Sequence, residues 1–201
     1  MSSINQIAQK LVADRKILYL SYDDVNASGV FDFENDRSKI EEVYCIHANK
    51  DTAIPNSDYL KYKGRPSYDR IITLLGYAGG TLQLSGLKQI CSSTTNINKG
   101  FERASGVIIL NDPDTQRPFA ILEASQISAA RTAAVTSLAI WHFAPKTITK
   151  VAFIGCGMLS RTHARMWAAL FKSRCAEISF FDSNDSLMSS YQDFLSTLGL
   201  S

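Results

Sequence analysis

The stretch that most constrains this chain runs from Val151 to Asp182: V-A-F-I-G-C-G-M-L-S-R-T-H-A-R-M-W, a helical run, then E-I-S-F-F-D. Val151, Ala152, Phe153 and Ile154 form a short apolar run of the kind a buried parallel strand needs, and Gly155-Cys156-Gly157 follows at once. In a dinucleotide fold the first glycine permits the turn and the second lets backbone approach a pyrophosphate. The free N–H groups of the next helix then meet the phosphate charge. Ser160 stands at the third position, where Gly or Ala is usual, and is small enough to keep helix and strand close. Glu177 to Phe181 reads as a second strand, and Asp182 ends it where an acid would accept ribose hydroxyls. Such an acid favours NAD over NADP, because a 2′-phosphate would meet like charge. Two glycines in a strand-to-helix turn are common in purely structural βαβ units. The joint presence of strand, helix, second strand and terminal acid is what points to a nucleotide.

The preceding residues read as a different kind of domain. Ile4 to Val12 repeat apolar positions at helical spacing, and Ile17 to Leu20 suit a strand. Ser21 with Asp24, and Ser38 with Glu41, fit capping boxes opening helices at Tyr22 and just after Ser38; the second helix would run to His47. Thr52 to Ser67 is polar and Pro-bearing, so a loop is expected. Arg70–Tyr77 and Leu82–Ile90 read as strands around Ala78-Gly79-Gly80, and Gly106–Leu110 and Phe119–Leu122 as two more joined by N-D-P-D-T-Q-R-P. Ser125 to Phe143 is Ala-rich and helical, ended by Ala144-Pro145. The expected class is α/β: an α+β domain over residues 1–146, then the first βαβα part of a Rossmann domain over 147–201.

The chain has 201 residues and a net charge of +2 with acids and bases interspersed, so no basic face suggests nucleic acid. No apolar run approaches bilayer length and the N-terminus lacks a signal peptide's apolar core, so a cytoplasmic protein without membrane contact is expected. Cys45, Cys91, Cys156 and Cys175 lack C-x-x-C spacing and read as free thiols; His47, His142 and His163 show no metal-ligand spacing. His163 reads as helix packing.

Three cations stand in apolar company: Arg70 opening a strand, Lys88 in G-L-K-Q-I, and Arg131 in S-A-A-R-T-A-A. Each is costly to bury unless an anion meets it. Converging on one cleft they would bind carboxylates, with Arg able to clamp bidentately. The alternative is that each pairs with a local acid such as Asp69 or Glu123, or reaches solvent.

From Arg70 onward the chain resembles the ornithine cyclodeaminase and mu-crystallin family. The resemblance rests on G-L-K-Q-I at Gly86, R-A-S-G-V-I-I-L-N-D-P from Arg103, P-F-A-I-L-E-A from Pro118, S-A-A-R-T-A-A from Ser128, and I-G-C-G. R-I-I with its Gly-Gly turn and the N-D-P-D-T run are most similar to the branch that oxidises N-(2-amino-2-carboxyethyl)-L-glutamate with NAD. That branch yields 2,3-diaminopropionate for siderophores. The resemblance implies that Arg70, Lys88 and Arg131 hold substrate carboxylates, with Lys88 a possible catalytic group. Thr132 would meet cofactor phosphates; Gly155, Gly157, Ser160 and Asp182 would hold the nucleotide. It further implies a homodimer through the substrate domain, while the spacing of the Cys and His residues gives no expectation of a metal. The family's catalytic aspartate would lie beyond Ser201, so the chain is expected to be the N-terminal portion of a longer enzyme. The other enzymatic expectation is a cyclodeaminase or ketimine reductase; outside enzymes, it is a truncated, non-catalytic remnant.

Overall fold

The computed structural model describes residues 3–200, apart from the side chains of Ser3, Cys175 and Ala176. Its elements form two compact units, Met1–Gly29 with Glu42–Ile127, and Val30–Glu41 with Ser128–Ser201. The units part inside a long helix, ahead of the 146/147 division drawn from the sequence.

The first unit is a sheet with helices. In chain order it contains α1 (Ser3–Ala13), β1 (Leu18–Leu20), α2 (Tyr22–Ala27), the end of α3 (Phe33–Ala48), β2 (Thr52–Ala53), β3 (Asp58–Lys61), β4 (Arg70–Ala78), β5 (Leu84–Ser92), β6 (Ala104–Asn111) and β7 (Pro118–Glu123). The strand order is β1-β7-β6-β5-β4-β2, with β3 also pairing β4. All pairs are antiparallel except β1–β7. Each turn has a local cause. Asp51 accepts the Gly80 N–H at 2.7 Å through its carboxylate, and a Cβ at Gly79 would lie 2.3 Å from that carboxylate. A side chain at Gly79 would displace the Asp51 carboxylate that holds the Gly80 N–H, so glycine suits the β4–β5 turn. At the β6–β7 turn, the Asp112 carboxylate accepts from the N–H and hydroxyl of Thr115, three residues on, at 2.8 and 2.6 Å. The Ser21–Asp24 capping box opens α2 as the sequence predicts. Ala8, Leu11 and Val12 of α1 pack with Phe119, Ala120, Leu84, Leu110 and Leu122.

Two expectations fail here. The Thr52–Ser67 loop contains β2 and β3, which form on the outer edge of β4. The Ser38–Glu41 box is not a helix start: α3 begins at Phe33, with Asp32 accepting the Asn35 N–H at 3.2 Å, so Ser38 lies inside the helix. Phe33, 5% exposed, is anchored in the second unit's core and draws the helix start forward.

The second unit continues from α4 (Ser125–Phe143) into β8 (Ile148–Ile154), α5 (Met158–Leu170), β9 (Cys175–Phe181) and α6 (Asp185–Thr197). β8 and β9 are parallel, with Val151 opposite Ile178 and Ile154 opposite Phe181. This is the strand–helix–strand–helix order read from the sequence. Its core joins Cys156, Met166, Trp167, Phe171, Tyr191 and Leu195 to Phe33 and Ala133. The Arg174 guanidinium donates to the Pro145 and Lys146 carbonyls at 2.6 and 3.1 Å, beside the C-terminus of α4. Cationic hydrogen bonds to a helix end are worth about 1–2 kcal/mol. Arg174→Ala is expected to lower the unfolding free energy by about that amount in a urea titration.

Asp36 is half-buried on α3 with one carboxylate oxygen lacking a partner. Burial, then the charge of Asp32, pushes it up to about 6. The folded state therefore holds this proton where the unfolded chain has lost it, and stability falls as pH rises from the ordinary carboxylate range through 6. Asp36→Asn is expected to remove that fall, raising Tm near neutral pH and leaving it unchanged near pH 4, as thermal melts at both pH values would show.

Candidate functional site

At the end of β8, Gly155 adopts φ +92°, a conformation that suits glycine. Its N–H donates to the Phe181 carbonyl at 2.7 Å, tying the ends of β8 and β9 together. A Cβ placed on Gly155 or Gly157 would meet nothing within 4 Å, so the loop faces open space. Gly157 caps α5 without a side-chain hydrogen bond, leaving the first-turn N–H groups uncapped by any side chain. Cys156 turns its side chain inward, fully buried, and burial pushes its thiol upward. Its backbone N–H donates to Asp182 Oδ2 at 2.8 Å, while Asn184 N–H donates to Asp182 Oδ1 at 2.9 Å. These donors hold the Asp182 carboxyl below the usual carboxylate range. A carboxylate has about four acceptor positions, so room remains for a hydroxyl. The structure thus brings Gly155, Gly157 and Asp182 together.

Ser160, expected from the sequence as a small residue among those holding the nucleotide, also links two helices. Its hydroxyl donates to the Tyr191 oxygen at 2.9 Å, and the Tyr191 hydroxyl donates back to the Ser160 carbonyl at 3.2 Å. This ties the first turn of α5 to α6, a pairing no local sequence signal marks. The Thr132 hydroxyl donates to the Ser128 carbonyl at 2.6 Å within α4. One turn on, Thr136 Oγ1 lies 3.0 Å from His163 Nε2, and His163 Nδ1 lies 2.7 Å from the Leu159 carbonyl, so His163 joins α4 to α5. A cavity of about 510 Å³ in this unit is lined by Thr136, Val151, Phe153, Ser160, His163 and Trp167 among others.

In the first unit, Arg70 lies opposite Ser92, and Lys88 opposite Leu74. Directly opposed residues point to one face, so Arg70 and Lys88 share a face of the sheet, their Cα atoms about 14 Å apart by strand rise. Asp69 does not neutralise Arg70: its carboxylate accepts from the Ser93 hydroxyl at 3.0 Å and the Thr94 N–H at 3.1 Å. Arg70 Nε is buried with no acceptor. Lys88 borders a cavity of about 330 Å³ lined by Val43, Leu74, Gly76, Gly86 and Ile108 among others. Arg131 is exposed on α4, in the second unit. Cys45, Cys91 and Cys156 are free thiols, whereas the Cys175 side chain lies outside the described residues. Among the described residues no group of three His, Cys, Asp or Glu side chains could hold a metal, and no helix is long and apolar enough to cross a membrane.

The sequence profile of the ornithine cyclodeaminase/mu-crystallin family matches residues 59–199. The chain belongs to this family. It is 40% identical over 149 residues to N-((2S)-2-amino-2-carboxyethyl)-L-glutamate dehydrogenase of Staphylococcus aureus, covering 73% of this chain and 44% of that enzyme. The solved structure of CmnK is 32% identical, with a TM-score of 0.77 covering 87% of this chain and 53% of CmnK. An archaeal alanine dehydrogenase dimer with bound NAD has a TM-score of 0.81 at 22% identity, covering 92% of this chain and 54% of that one. The last likeness is one of fold. The chain spans about half the length of these similar proteins.

Proposed function

We propose that this chain carries the substrate-binding part and the first half of the nucleotide-binding part of an NAD-dependent amino-acid dehydrogenase. Its proposed reaction cleaves N-(2-amino-2-carboxyethyl)-L-glutamate oxidatively to 2-oxoglutarate and 2,3-diaminopropionate. The observation that carries this reading is the 40% identity to the Staphylococcus aureus dehydrogenase, which spans most of this chain. The loop fits the cofactor: open space before Gly155 and Gly157, an uncapped α5 N-terminus for a diphosphate, and the Asp182 carboxylate for ribose hydroxyls. Thr132 is assigned to the phosphates and Ser160 to holding the loop's helix in place. NAD, when bound, supplies the hydride acceptor for the substrate's secondary amine.

The chain's own residues bind and orient. Arg70, Lys88 and Arg131 are assigned to substrate carboxylates, with Lys88 also able to move a proton at the amine. Water then splits the oxidised C–N bond into the two products. The reading is of a cytoplasmic homodimer.

Incubation of the glutamate adduct and NAD with this chain fused to the remaining part of the similar Staphylococcus aureus dehydrogenase tests the proposal. Equal release of NADH and 2-oxoglutarate is expected. Proline from ornithine without net NADH would assign cyclodeamination instead, and turnover of neither compound would overturn both readings in favour of a non-catalytic chain.

A further inference from the structure

The β3–β4 register places Lys61 directly opposite Arg70, and the β4–β5 register places Ser92 opposite Arg70 on its other side. Lys61, Arg70 and Ser92 therefore form one rung across three strands, with all three side chains on the face that also carries Lys88. Like charges directly opposed across a ladder destabilise it, and side chains so paired start about 5 Å apart. The Tyr59 ring gives Arg70 a cation–π contact, but no anion meets the pair among the described residues. Neither Lys61 nor Arg70 has an ion-pair partner among the described residues, Asp69 is taken by Ser93 and Thr94, and Arg70 Nε is buried without an acceptor. Tyr59, two residues earlier on β3, sets its ring 5.8 Å from the Arg70 guanidinium and flanks the rung.

We propose that Lys61 and Ser92 complete a carboxylate site with Arg70, so that the edge strand β3 selects ligands bearing a second carboxylate beyond the one held by Lys88. The inference rests on the reading of Arg70 and Lys88 as carboxylate-binding residues. Two cations and a hydroxyl in one rung match the two oxygens of a carboxylate, whose charge would turn the repulsion into attraction. Lys61 is exposed at a sheet edge, so its replacement leaves the core intact.

Calorimetric titration of the 201-residue chain with 2-oxoglutarate, a dicarboxylate, and pyruvate, a monocarboxylate, tests this. Lys61→Met is expected to weaken 2-oxoglutarate binding about tenfold and pyruvate binding far less, with Lys61→Arg restoring most of the loss. Without ligand, Lys61→Met should melt slightly higher than the parent, because the repulsion is gone. Equal 2-oxoglutarate affinity in Lys61→Met and parent would overturn the Lys61 assignment, while weakening by Arg70→Met and Lys88→Met would leave the wider reading standing. If the parent chain itself bound no 2-oxoglutarate, the carboxylate reading would fall and the rung with it.

Discussion

Under the proposed function, Lys88→Met in the fused enzyme is expected to lower kcat/KM for the glutamate adduct about a hundredfold or more in the NADH-release assay. Lys88 is half-buried on an apolar sheet face, between Leu87 and Gln89 and opposite Leu74 and Ile108. A carboxylate held there is shielded from water, and removing its cation strands a desolvated charge, a loss of about 2–5 kcal/mol. Lys88→Arg should recover only part of the rate, because a planar fork replaces a compact ammonium on a shorter reach. The division between constants is informative. A higher KM with unchanged kcat would assign Lys88 to carboxylate binding alone, and a lower kcat would assign it to the chemical step as well. Activity within threefold of the parent would remove Lys88 from the site.

Tyr191→Ala is expected to cost about 3–5 kcal/mol of stability. The residue is fully buried, and its ring packs against Phe153, Phe180 and Phe194 at centroid separations of 6.0, 5.5 and 6.0 Å. Truncation would leave a cavity between β8, β9 and α6. Tyr191→Phe isolates the hydroxyl, which alone links Ser160 to α6, and should cost about 1 kcal/mol. Urea denaturation followed by circular dichroism would measure both. If Tyr191→Ala unfolded at the parent's midpoint, the packing account of the second unit would be wrong.

The elements that could be read from the sequence were those whose cause is local. β4 to β7, α4 and the β8–α5–β9 unit each carry their own periodicity and turn residues, and each formed within a few residues of expectation. The loop between β8 and α5 was legible for the same reason, since Gly155, Gly157 and Asp182 sit at fixed offsets in one supersecondary motif. What escaped the reading depends on partners distant in sequence. β3 is exposed at all four positions and shows no alternation of apolar residues, so only pairing with β4 makes it a strand. The Lys61–Arg70 juxtaposition therefore had no local sign. Ser38-x-x-Glu41 satisfies a capping box locally, but Phe33 packs into a core built by residues more than ninety positions later, and that burial extends the helix through Ser38. The Ser160–Tyr191 pair likewise joins two helices across a strand. The Arg70 environment was half legible: its neighbour Asp69 is near in sequence but is turned to Ser93 and Thr94, which only the β5 register brings close.

The most direct test of the central claim is saturation-transfer NMR of the 201-residue chain with NAD, which detects binding even at millimolar affinity. The account predicts weak binding in which the adenosine ribose protons receive saturation, and its loss in both Gly155→Val and Asp182→Ala. The valine would strain a left-handed backbone and fill the open space, and the alanine would remove both the ribose acceptor and the Cys156 latch. Undiminished transfer in both variants, or none in the parent chain, would contradict it.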